Sequence, residues 1–163
     1  MEDQVSDLLG VVREEITLYR DLVEHARQKT VLLIKGSVEA ILESNRVEDA
    51  LCSRLRSLEM EMARLCRQLA EAFRVSREEF TLMKLADKAD PSYAPEIRSQ
   101  ADLCRNLVRQ LRSITQRNRK LIERSLHYSR GLLAVFSNAS GAYRPNGLFE
   151  EIPSMRPTFS QQA

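Results

Sequence analysis

Apolar residues recur every three or four positions along most of this chain, and nowhere do they alternate in twos for long. From Pro95 to about Asn138 they fall at Ile97, Ala101, Cys104, Val108, Leu111, Ile114, Asn118, Ile122, Ser125, Ser129, Leu132 and Phe136, counting small and seam residues with the apolar ones. This spacing follows one face of a helix and excludes the alternating face of a strand. Leu107, Leu121, Leu126 and Leu133 widen the stripe, so more than one neighbour is needed to cover it. At about 1.5 Å per residue such a helix extends on the order of 65 Å.

The first part of the chain carries a similar pattern. Val5, Leu8, Val12, Ile16, Tyr19, Val23, Ala26, Thr30 and Leu33 line one stripe, and Leu9, Leu18 and Leu22 a second, which predicts a helix over 3–35. Gly36 is placed to stop it, because glycine tolerates positive φ, and Ser37 to cap the next helix with its hydroxyl. So short a junction implies an antiparallel hairpin. The second helix is predicted over 38–74, with Ile41, Leu51, Leu55, Leu58, Met62, Leu65, Leu69 and Ala72 on its seam. Its polar stretch from Glu43 to Asp49 is expected to be loose or exposed. Ser76 and Glu79 have the spacing of a capping box, predicting a short helix over 77–89 that ends before Asp90-Pro91. Pro95 suits the first residue of the final helix, 95–138. The expected fold is all-α: an elongated antiparallel hairpin or bundle of three long helices and one short one, coiled-coil-like. It forms a single domain over 1–138. Residues 139–163 hold Gly141, Pro145, Gly147, Pro153 and Pro157, which cannot continue a helix, and are expected to form a mobile tail.

Composition narrows the function classes. The chain has 163 residues, 43% apolar and 29% charged, and no tryptophan. No run approaches 18 uncharged apolar residues, and the acidic start MEDQVSDLL lacks a secretory pattern, so a cytoplasmic protein is expected. Cys52 and Cys66 are about 21 Å apart along one helix, too far to bond each other, and the three thiols read as reduced core residues. His25 and His127 have no glutamate three positions before them, as a di-iron bundle would require. No glycine-rich phosphate loop, paired-cysteine motif or nucleophile elbow occurs. No catalytic, metal-ligating or cofactor-binding residue is therefore expected, and the protein reads as a non-enzyme. Residues 96–138 carry nine Arg and Lys against three acids, a net +6 within a chain of net +2. That basic helix is expected to answer the acidic helices beside it; the aromatic interleaving of a nucleic-acid platform is missing.

The string NRKLIERSLHYSRGLLAVFSNASGAYRPNG, Asn118 to Gly147, resembles the closing signature of FlgN-type flagellar export chaperones. The matching positions are Asn118, Leu121, Ile122, Leu126, Leu132, Leu133, Tyr143 and Gly147. Tyr19, Leu22, Lys29, Leu32 and the run Gly36 to Ile41 look similar too, with Ser37 where family members often carry Asp. The resemblance implies a cytosolic chaperone that holds the C-terminal segments of the hook-associated proteins FlgK and FlgL for type III export. The export apparatus and a second copy of the chain are further candidate partners. The expected partner-binding residues are Asn118, Leu121, Ile122, Leu126, Leu132, Leu133, Phe136 and Tyr143. The six apolar residues from Leu121 to Phe136 also have the commoner role of internal core, Tyr143 that of packing the tail onto the bundle, and Asn118 that of pairing with a polar neighbour to set helix register. Two other classes compete: a structural coiled coil that dimerises through the same stripe, and a basic helical nucleic-acid binder.

Overall fold

The computed structural model describes residues 2–76 and 79–140. Four helices and no strand occur among them: α1 (Glu2–Lys35), α2 (Val38–Ala72), α3 (Leu82–Lys88) and α4 (Ala94–Ser140). The chain divides into two units, Met1–Leu121 and Ile122–Ala163. That division falls inside α4, about 17 residues before the 138/139 boundary suggested by composition. The tail expected to be mobile, and Tyr143 within it, lie outside the described residues, apart from helical Ala139 and Ser140.

In the first unit α1 is the central element. Its two apolar stripes are buried along Val5, Leu8, Leu9, Val12, Ile16, Leu18, Leu22, Val23 and Ala26. Leu65 and Leu69 of α2, Leu85 and Ala86 of α3, and Ile97, Leu107 and Ile114 of α4 complete one core. The hairpin turns at Gly36, whose φ of 72° no side-chain-bearing residue adopts cheaply, and whose amide donates to the Leu32 carbonyl at 3.0 Å. Side-chain pairs show α4 running parallel to α1: Arg13 reaches Glu96, Arg27 reaches Gln110 and Thr30 reaches Asn118.

Several local expectations need correction. Ser37 occupies the N-cap of α2 with extended backbone, but its side chain makes no capping bond; only its carbonyl engages, accepting from Ile41 N at 3.0 Å. Ser76 does not open a helix. Its carbonyl closes a single turn with the amides of Glu79 and Phe80, and extended Thr81 caps α3 instead, its hydroxyl accepting from Lys84 N at 3.2 Å. α3 therefore begins at Leu82 rather than 77, and α4 begins one residue before Pro95, at Ala94. The end of α2 closes as a Schellman motif: Val75 N donates to Ala70 O and Arg74 N to Glu71 O, with Arg74 at φ 53° where glycine is usual. The polar stretch from Glu43 to Asp49 is exposed at Glu43, Arg46, Val47 and Asp49, as expected, but two of its members are fastened to α1. Glu48 pairs with Lys29, and Ser44 is buried against His25, whose Nε2 lies 2.9 Å from the Ser44 carbonyl.

Charge within the core centres on Glu15, which is 5% exposed. Burial, and then the Glu59 carboxylate, push its carboxyl above the ordinary 4.5. Burial and Glu15 together drive the Tyr19 phenol up to about 12. Burial first and the Glu15 charge second also raise the thiols of Cys66 and Cys104.

Candidate functional site

The residues expected to bind a partner separate into two groups. Asn118 belongs to the core of the first unit at 5% exposure. Its Nδ2 donates to the Ala26 carbonyl at 2.9 Å, and the Thr30 hydroxyl donates to its Oδ1 at 2.6 Å. A buried amide so satisfied pins α4 against α1 in one register, which is the register role considered for Asn118, and its polar atoms are engaged inside the unit. Leu121 is half-buried.

In the second unit, every described side chain from Ile122 to Phe136 is exposed. Ile122, Leu126, Ser129, Leu133 and Phe136 follow one another at i, i+4, i+7, i+11 and i+14, which aligns them in a single row. Tyr128, Leu132 and Val135 form a second row beside it, while Glu123, Arg124, His127 and Arg130 occupy the remaining surface. Leu126 is 51% exposed and Leu133 68%. Large apolar side chains normally meet a neighbour when they recur along a helix; a contiguous pair of rows facing solvent marks a surface for another chain. Two parallel rows on one helix form ridges, a shape that an amphipathic helix with anchors at i, i+3, i+4 and i+7 can complement.

A second exposed apolar surface was missed by the sequence reading. At the hairpin tip, Val31, Ile34, Val38 and Leu42 flank the turn and are each at least half exposed. Both sides of the turn carry the threes-and-fours pattern, which promised burial; what the pattern could not disclose is that the core thins toward Gly36. The signal available was the absence of any third apolar segment assigned to cover that end.

Three ion pairs involve charged residues of the first half of α4. Arg98 pairs with Asp87 and Arg105 with Asp102, while the Arg13–Glu96 pair between α1 and α4 has the opposite polarity, with the cation on α1. Among the described residues no group of His, Cys, Asp or Glu is arranged to hold a metal ion. No helix among them is long and apolar enough to cross a membrane.

The family model for FlgN protein matches residues 1–150, nearly the whole chain and all of the exposed helical face. The chain belongs to the FlgN family. No curated protein and no solved structure gives a significant match. FlgN membership points to a flagellar export chaperone in general terms, in a family of chaperones rather than enzymes.

Proposed function

We propose that this FlgN protein is a cytoplasmic chaperone of the hook-associated proteins FlgK and FlgL. It binds their C-terminal helical segments along the α4 face from Ile122 to Phe136 and keeps them from assembling before type III export. The observation that carries this reading is the double row of exposed apolar side chains on a helix of the second unit. A terminal segment destined to pack against neighbours in a filament exposes an apolar face until it assembles, and that face has the periodicity the α4 ridges require.

Release matters as much as capture. Ordering a disordered segment consumes about 2–5 kcal/mol of the gross interaction, which keeps net affinity moderate and the complex reversible. The experiment is co-purification with full-length FlgK and FlgL and with versions lacking their C-terminal segments. The full-length proteins are retained and the truncated ones lost; equal retention of both would remove the proposed mode.

A further inference from the structure

The sequence that follows the exposed face of the second unit is itself built to cover it. From Ile122 to Phe136 the apolar row runs for about 21 Å of helix, and every described side chain along it is exposed. Ser129 is the one small member of the row and leaves a gap between Leu126 and Leu133. Past Ser140 come residues 141–147, with Gly141, Pro145 and Gly147 among them, and then the run Leu148-Phe149-Glu150-Glu151-Ile152-Pro153-Ser154-Met155. Glycine and proline in the linking residues suit a reversal of the chain. Pro153 opposes a continuous helix and favours the extended left-handed form with three residues per turn. In that form Phe149, Ile152 and Met155 share one edge, and Leu148 to Met155 extends about 22 Å. The apolar edge of the run thus matches the apolar row in length.

Laid antiparallel with Leu148 beside Phe136, each residue of the run passes about two of the helix. Phe149 then falls at Leu133, Ile152 beside the Ser129 gap, and Met155 at Ile122. The same register brings Glu151 level with Arg130, so one alignment supplies three apolar anchors and an opposite charge. Covalent linkage favours this occupant over a second copy of the chain. The short link holds the run at an effective concentration on the order of millimolar, which free chain in solution does not match.

We propose that residues 148–155 fold back on the Ile122–Phe136 face of the same chain and must leave before a partner helix occupies it. Displacement by cargo rests on the chaperone reading above; the docking itself does not. Such a segment shields the apolar rows while the protein is empty and lowers apparent cargo affinity in proportion to the fraction of molecules whose face is covered. The family match ends at residue 150, so Ile152 and Met155 lie beyond the part of the chain it covers.

The test places benzoylphenylalanine at position 155 of the full chain and irradiates it without cargo. The crosslinked product runs at monomer mass, maps between Ile122 and Arg130, and is lost when Phe149→Asp and Ile152→Asp are added. Without the probe, the same two substitutions tighten binding of a hook-associated C-terminal segment at least about threefold, because the run no longer competes for the face. A product at twice the monomer mass would assign the face to a second copy and overturn the proposal. So would no product, or one mapping to residues 1–121; none of these touches the cargo reading. Docking without any gain in cargo affinity would overturn the displacement. If neither protein binds cargo, the chaperone reading falls and the cargo-free product alone decides the docking.

Discussion

Replacing Leu126 and Leu133 together by alanine separates a partner surface from a core. Full burial of a leucine side chain contributes about 1.5–3 kcal/mol relative to leaving it in water. Leu126 is 51% exposed and Leu133 68%, so a bound helix can bury only that fraction again, roughly 1–1.5 kcal/mol for each. The double variant should thus weaken cargo binding by about 2–3 kcal/mol, or roughly thirty- to a hundred-and-fortyfold. Stability should hardly change, because neither side chain is buried in the free protein and alanine is the better helix former. A surface change of about 0.5 kcal/mol or less moves Tm by about two degrees in a domain of this size. Leu69, 0% exposed, is the control: Leu69→Ala removes packed core and costs about 2–5 kcal/mol of stability. Calorimetric titration with a hook-associated C-terminal segment, run beside thermal unfolding, reads both quantities. The reasoning is refuted if the double variant unfolds as early as Leu69→Ala, or if it binds cargo within about threefold of the parent.

Three further changes probe the first unit. Glu15→Gln should stabilise the protein at neutral pH: folding raises the Glu15 pKa, so the folded state holds its proton longer than the unfolded one, and stability falls as pH rises past the ordinary 4.5 through the raised value. The gain from glutamine should vanish in urea melts run below that window. Asn118→Ala should cost about 1–3 kcal/mol by urea unfolding, since it deletes two buried hydrogen bonds, although the Thr30 hydroxyl, freed of Asn118, can turn its one proton to the Ala26 carbonyl 3.0 Å away; a loss under 0.5 kcal/mol would remove Asn118 as a register anchor. Arg74→Gly should raise stability by about 0.5–1 kcal/mol, because glycine occupies the left-handed C′ position without a Cβ clash; an unchanged or lower Tm would contradict the strain assigned there.

The helices were legible because burying a long helix imposes threes and fours on its sequence, and α1 and α4 obey that rule from end to end. The turn at Gly36, the break around Pro91 and the restart of helix close to Pro95 were legible because backbone chemistry leaves those residues few options. What escaped were features set by a neighbour rather than by local pattern. Thr81 outcompetes Ser76 as a cap, although the Ser76–Glu79 spacing looked stronger. Glu15 sits between two apolar stripes and is drawn inside with them, which no charge count reveals. The stretch from Glu43 to Asp49 looked like a weak seam, yet Ser44 and Glu48 within it fasten α2 to His25 and Lys29. The final helix was legible as a continuous apolar stripe, but not which of its positions are covered: Asn118 and Ile122 are one turn apart on that stripe, yet Asn118 meets α1 and is buried while Ile122 is exposed.

Site-specific photo-crosslinking tests the central claim most directly. A benzoylphenylalanine at position 133, in the intact protein mixed with purified FlgK or FlgL, should trap the C-terminal segment of the cargo. The same probe at Met60, which is 69% exposed on α2, should trap none. Equal crosslinking from both positions, or none from 133 while the complex persists, would contradict capture on the α4 face.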